Sequence, residues 1–390
     1  MNVKEAVSAV MPDVVSWRRH LHENPEVGFE LTNTLDFVAQ RLEEMGVEHE
    51  VHRDKSYIVG WINKDASGKT VALRADMDAL PVEEDTGLTF SSKVPGKMHA
   101  CGHDAHTAML LGTAKVLSEH KDELKGRVKL IFQPAEELGT GAHKVCEDGV
   151  LKDVDEIVGL HVGNISEEAK PGQLVFSLGP MMATMDKFSL KVVGKGAHGS
   201  TPHASVDPVM VAAEIITSLQ SIISREKDPR NPAVISVGKV RGGSAFNIIP
   251  DTVEMEGTTR TLTNEDRDFI EKRIGEVAEG VAHALRADIV YEFFRQPPPV
   301  INDEAVAKRL VAVGQDLYPD DTLMMSRPVM GGEDFAWYLQ EVPGAFFLLC
   351  NPLEVQGALW PQHSCHFAIN EDVLNRGIEV MSEFVSRELA

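Results

Sequence analysis

Three apolar runs in this chain end on side chains that can hold a metal or move a proton. That arrangement limits the possible fold more than any other feature. The run from Thr70 leads into Asp76 and Asp78, and Val128-Lys129-Leu130-Ile131-Phe132 leads through a Gln-Pro turn into Glu136 and Glu137. Ile157-Val158-Gly159-Leu160 ends at His161. Short, nearly continuous apolar runs read as strands buried on both faces, and α/β sheets gather their chemistry at the carboxyl ends of such strands. Between the first two lies a helical pattern over 107–119, with Ala108, Leu111, Ala114 and Leu117 among its apolar positions. Strand alternating with helix predicts an α/β fold with a mixed, largely parallel sheet flanked by helices. Further helices are expected over 12–22 and from Thr32 to about Met45.

The pattern changes near residue 180. A half-exposed strand (Phe188, Leu190, Val192) is followed by a helix over 208–221, strands over 233–240 and 252–262, a helix over 265–285 and a strand over 288–294. This β-α-β-β-α-β order is that of a ferredoxin-like α+β unit. Gln296-Pro297-Pro298-Pro299 makes a stiff exit, after which α/β character returns up to an apolar helix over 373–384. At 390 residues the chain exceeds what one core normally organises. The expected division is a discontinuous catalytic domain, 1–182 and 296–390, with a lid or dimerisation domain inserted at 183–295.

A formal charge of −22 argues against nucleic acid as a partner. No run approaches the roughly 20 apolar residues needed to cross a bilayer, so no membrane partner is expected and the location expected is cytoplasmic. The four cysteines, Cys101, Cys146, Cys350 and Cys365, are too scattered for a disulfide framework.

The densest chemistry is His99-Ala100-Cys101-Gly102-His103-Asp104-Ala105-His106. Cys101 and His103, two residues apart at a turn, can converge on one ion. Adjacent Glu136 and Glu137 allow one carboxylate to hold metal while its neighbour serves as a base. His161 and, far down the chain, His363 are further candidates. The residues leave rivals open. Cys101 could be a nucleophile paired with His103 or His106, or the chain could be a binding protein without catalysis. Asp104 could cap a helix beginning at His106 or Thr107. His106 reads as structural, and His20 and His22 read as wet or rim positions.

Taken in order, Arg74-Ala-Asp-Met-Asp-Ala-Leu-Pro81, His99–His106, Gln133-Pro-Ala-Glu-Glu137, Gly159-Leu-His161, Gly196-Ala-His-Gly-Ser200, Phe246-Asn-Ile-Ile-Pro-Asp251, Gly331-Gly-Glu-Asp-Phe335 and His363 span nearly the whole chain. They resemble the metal-dependent amidohydrolases: bacterial hippurate hydrolases, N-acyl-amino-acid amidohydrolases and plant indole-acetyl-amino-acid hydrolases. These share a superfamily with aminoacylase-1 and glutamate carboxypeptidase. The resemblance implies two divalent ions per subunit (zinc, manganese, nickel or cobalt) held by Cys101, His103, Glu137, His161 and His363. It implies Glu136 as general base on a water between the ions, with Asp78 and Asp104 steadying the ligands from behind. It also implies that His198, reaching across a homodimer (alone or as a dimer of dimers) built on the inserted domain, polarises the scissile carbonyl. Asn247, Arg260, Gly331 and Gly332 would bind the substrate. Where peptidase branches carry a ligand His, this chain has Asp76, and it has the thiol Cys101. That combination matches the branch that splits N-acyl amino acids into a carboxylic acid and a free amino acid. Dipeptidase, carboxypeptidase and acetyl-diaminopimelate deacetylase activities are the alternatives within the superfamily.

Overall fold

The computed structural model of the protein describes residues 1–390. It divides into two compact units: Met1–Met181 with Ile301–Val329 and Asp334–Ala390, and Met182–Val300 with Met330–Glu333.

The first unit is built on an eight-stranded sheet flanked by helices. At its centre Thr70–Asp76 lies between Arg127–Gln133 and Glu156–Gly163, parallel to both, and Gly344–Cys350 runs parallel to Glu156–Gly163 on the far side. Antiparallel Glu48–His52 and Tyr57–Ile62 extend one end, while the three-residue strands Leu174–Phe176 and Thr322–Met324 close the other. Because the three central strands are adjacent and parallel, their carboxyl ends open at one edge. Asp76 is in register with Gln133, and Arg74 with Gly159. One apolar core joins the sheet to the helices Val3–Glu23, His103–Glu119 and Leu374–Glu388.

Two helix starts differ from the sequence reading. The first helix begins at Val3, with Pro12 inside it. Pro12 is exposed, and the buried stripe Val3, Val7, Val10, Val14 runs straight past it. Tertiary packing thus outweighs one lost backbone hydrogen bond. The third helix begins at His103, not near Thr107. Its polar first turn is buried, which local sequence pattern does not show.

The second unit carries a four-stranded antiparallel sheet in the order Ala233–Gly242, Thr252–Thr261, Asp186–Val193, Asp288–Phe294. The helices Pro208–Ser221 and Asn264–Ala284 cover it and share a separate apolar core that includes Phe188, Ile215, Ile270 and Ile274. Each helix starts on a side-chain cap, Asp207 for the first and Thr263 for the second.

Candidate metal centre

The centre forms where the central strands end. Gly102 sits at φ 95°, and a Cβ there would meet Val162 Cγ2 at 2.5 Å, so only glycine fits the turn. That turn aims Cys101 and His103 into one buried space. His103 places Nδ1 2.8 Å from the carbonyl of Asp78, to which it must donate. Its Nε2 therefore faces inward, buried and without a hydrogen-bond partner. His161 donates from Nδ1 to the carbonyl of Val162 at 2.7 Å, leaving Nε2 3.3 Å from Cys101 Sγ. Glu137 lies with Oε2 3.3 Å from His363 Nε2, and its Oε1 is buried without a hydrogen bond. His363 adopts φ 67° and is tied by its backbone N–H to the Ala100 carbonyl at 2.8 Å.

These side chains fall into two overlapping groups. Cys101, His103 and His161 form one, Cys101, Glu137 and His363 the other, and the ligand atoms within each lie no more than 4.8 Å apart. A thiol, imidazoles and a carboxylate suit borderline transition ions. The inward atoms that lack protein partners, His103 Nε2 and Glu137 Oε1, are what a cation would satisfy. The residues present therefore fit two divalent ions, with Cys101 common to both groups.

Electrostatics agree. Burial pushes the Cys101 thiol well above its ordinary range and holds His161 well below the usual imidazole value. Burial works against the charge of Glu137, yet His363 and His103 hold its carboxyl below the usual range. Asp78, raised by burial, accepts the backbone N–H groups of Glu136 at 3.0 Å and Glu137 at 3.2 Å. This fixes the tight turn at Ala135, φ 52°, that presents both glutamates. Glu136 keeps Oε2 3.8 Å from His103 Nε2 and accepts the Asp334 N–H on Oε1 at 3.3 Å.

A polar network missed in the sequence lies beneath. Asp334 accepts from Arg74 Nη2 at 2.9 Å, Gln133 Nε2 at 2.8 Å and the Ala142 N–H at 2.9 Å. Gln133 Oε1 in turn accepts from Arg74 Nε and the Tyr338 hydroxyl. The Gln133 turn and the Gly331–Phe335 motif were the visible signals, but nothing local to either shows that they meet.

Asp104 lies within the first helical turn and so is not the helix cap. It forms an ion pair with Arg18, whose Nε lies at 2.8 Å, and accepts a hydrogen bond from His22 Nδ1 at 2.7 Å. His22, expected to be wet, is fully buried and bridges Asp104 to Glu84. Its partners come from 62 and 82 residues away, which explains why the sequence concealed them. His20 is exposed and stacks on Phe37.

The remaining candidates belong to the second unit. His198 is exposed on a two-stranded tip paired with Ile248, and the Gly199 N–H reaches the Asn247 carbonyl at 2.8 Å. His198 Nδ1 accepts the Ser200 N–H at 3.1 Å, which leaves Nε2 as the protonated, outward donor. Arg260 lies on the central Thr252–Thr261 strand, where its Nη1 donates to the Thr259 carbonyl at 2.8 Å. Gly332 is glycine for a packing reason, since a Cβ would overlap Met185 Cγ at 2.0 Å, whereas Gly331 has room, its nearest neighbour being Met182 Cε at 3.8 Å.

A mostly parallel sheet that gathers a thiol, three imidazoles and a carboxylate around one buried space defines a metal-dependent hydrolase. The chain is 40% identical over 380 residues to IAA-amino acid hydrolase ILR1-like 4 of Arabidopsis thaliana, covering 96% of this chain and 86% of that one. It is 42% identical over 342 residues to the N-acetyl-L-cysteine deacetylase of Bacillus subtilis strain 168, covering 87% and 80%. Against thermostable carboxypeptidase 1 of Saccharolobus solfataricus it is 40% identical over 379 residues, covering 96% and 95%. The solved structure of Bacillus subtilis YxeP, described as a dinuclear metal binding peptidase from the M20 family, matches at TM-score 0.85 and 36% identity, covering 98% of this chain and 99% of that one. The chain belongs to peptidase family M20/M25/M40, which it matches over residues 72–387. It is a hydrolase of that family with a dinuclear metal centre.

Proposed function

We propose that the protein hydrolyses the amide bond of an N-acyl amino acid, releasing a carboxylic acid and a free amino acid. The observation that carries this reading is Glu136: a buried carboxylate held beside the ligand set by Asp78 and Asp334 and adjacent in sequence to Glu137. The metal pair, when bound, supplies Lewis acidity and lowers the pKa of water toward neutrality. Glu136 takes one proton from the attacking water on Oε2 as the C–O bond forms and returns it to the amine nitrogen as the C–N bond then breaks, so no net proton is consumed at the residue. His198, with its proton on Nε2, has the correct tautomer to donate to a developing oxyanion. Arg260 offers a fork suited to the amino acid's carboxylate; Asn247 and the backbone of Gly331 and Gly332 complete the substrate contacts.

Support for the acyl-amino-acid class comes from the relatives, one named for indole-acetyl-amino acids and one for N-acetylcysteine. The carboxypeptidase relative favours a second reading, removal of a C-terminal residue from a short peptide. We further propose that the chain acts as a homodimer through its second unit, whose tip exposes Phe246 and Ile248 beside His198 and Asn247. No helix is long and apolar enough to cross a membrane; a cytoplasmic location is part of the same proposal.

The test is Glu136→Gln. Bound metal should remain near wild type while kcat on the best acyl-amino-acid substrate falls by about 10²–10⁴. A panel of N-acetyl, N-benzoyl and N-indole-acetyl amino acids beside dipeptides, read as released amine, separates the two substrate classes. Full turnover in the Gln variant would sink the mechanism.

A further inference from the structure

Three imidazoles, His103, His106 and His161, crowd the centre, with ring centroids 4.6 to 5.9 Å apart. Asp76, His103 and His106 also satisfy the spacing of a metal triad. Hydrogen bonding decides between these histidines. Val162 donates its backbone N–H to His106 Nε2 at 2.9 Å, so that nitrogen is an acceptor and carries no proton. The proton is then on Nδ1, which gives it to Asp76 Oδ1 at 2.6 Å. Asp76 is fixed in turn: Arg74 Nη1 lies 2.8 Å from its Oδ2, and the Thr107 hydroxyl donates to its carbonyl at 2.7 Å. Both ring nitrogens of His106 are thus engaged by protein. His103 and His161 each spend Nδ1 on a backbone carbonyl and turn Nε2 inward.

The sheet explains why this device stands here. Pairing between the strands Thr70–Asp76 and Glu156–Gly163 runs only as far as Arg74 with Gly159. Beyond that point the Val162 peptide still needs partners for its N–H and C=O. Two imidazoles supply them: His106 takes the N–H, and His161 donates to the C=O. The bond that orients His161 and the bond that occupies His106 therefore meet on one residue.

We infer that Asp76 and His106 form a positioning pair, which keeps His106 off the metal and holds the Val162 peptide so that His161 presents Nε2 to the ion shared with Cys101 and His103. The inference rests on the metal centre and not on the substrate proposed above, so its test reads metal binding alone.

Metal-free full-length protein is titrated with Co(II), followed by visible absorption and by chelator competition. His106→Leu, which removes both bonds, should weaken one of the two Co(II) sites by about 10- to 100-fold and alter its visible bands, leaving the other near wild type. His106→Gln, whose amide oxygen reaches the Nε2 position, should recover most of that loss. His106→Asn, which reaches only the Nδ1 position, should recover little. Two sites of wild-type affinity and spectrum in the Leu and Asn variants would overturn the inference. If those variants do not fold, ¹⁵N-histidine NMR of the wild type with Zn(II) decides. His106 should keep its Nδ1 proton and an uncoordinated Nε2 throughout, and a zinc-coordinated His106 nitrogen refutes the pair.

Discussion

Cys101 and His103 carry the charge logic of the centre. Burial pushes the Cys101 thiol well above its usual range. Burial also disfavours a charged His103, but the buried Asp76 carboxylate works against it, and that pKa lies well above the ordinary imidazole value. Both groups therefore carry a proton at neutral pH that a metal ligand must shed. The sign follows directly: uptake of metal releases protons, and apparent affinity rises with pH until the two groups titrate by themselves. Calorimetry of Co(II) binding in buffers of differing ionisation enthalpy should show at least one proton released per chain at pH 7. Affinity should climb by up to about tenfold per pH unit for each proton released. Zero release, or affinity flat between pH 6 and 8, contradicts the protonated starting state.

Among the elements, the His103–Glu119 helix shows how much the sequence disclosed. Its apolar body was legible because Ala108, Leu111, Ala114 and Leu117 face one core. Its first turn was not, because His103, Asp104 and His106 break the apolar pattern and find their partners only when Asp78, Arg18 and Asp76 arrive from distant segments. The strand ends that deliver Glu136, Glu137 and His161 were readable from local apolar runs. The tautomers that select among the histidines were not, since each depends on a backbone carbonyl or N–H contributed by the fold. Leu174–Phe176 and Thr322–Met324, three residues each, were too short to show any period. The same helix makes a prediction of its own. Gly112 lies where a Cβ would come within 2.6 Å of Val14 Cγ2 and 3.0 Å of Ile378 Cδ1, side chains of the first and last helices. Gly112→Ala gains up to about 1 kcal/mol in helix propensity. It must also displace two well-packed side chains, which costs about 1–3 kcal/mol. The net expected is a loss of up to about 2 kcal/mol, read as a lower urea midpoint with an unchanged slope. An alanine variant at least as stable as wild type would mean the three helices can spread at no cost.

At the scale of the whole molecule, the chain leaves the first unit near Met181 and returns near Ile301, and each unit has its own apolar core. The candidate ligands all belong to the first unit, yet they straddle the excursion: Cys101, His103, Glu137 and His161 precede it and His363 follows it. A bound pair of ions therefore ties together two chain segments that the unfolded state leaves far apart, and its binding energy adds to the stability of that unit alone. At free metal 100 times the dissociation constant, each site contributes about 2.7 kcal/mol. Each kcal/mol shifts the midpoint of a unit this size by roughly 2–4 °C. The second unit, held by Phe188, Ile215, Ile270 and Ile274 and containing none of the ligands, has no such term. Calorimetry of the full chain should then resolve two transitions. Chelation should lower the one belonging to the first unit by roughly 10–20 °C when both sites are lost, restored by Co(II) or Zn(II), while the other moves by no more than about 1 °C. The assignment is checked with Ile270→Ala in the second unit, which should lower only the metal-insensitive transition, by an amount in keeping with the roughly 2–5 kcal/mol cost of such a cavity. A single transition that shifts as one under both chelation and Ile270→Ala would mean that the two cores unfold together and that the ions stabilise the entire chain.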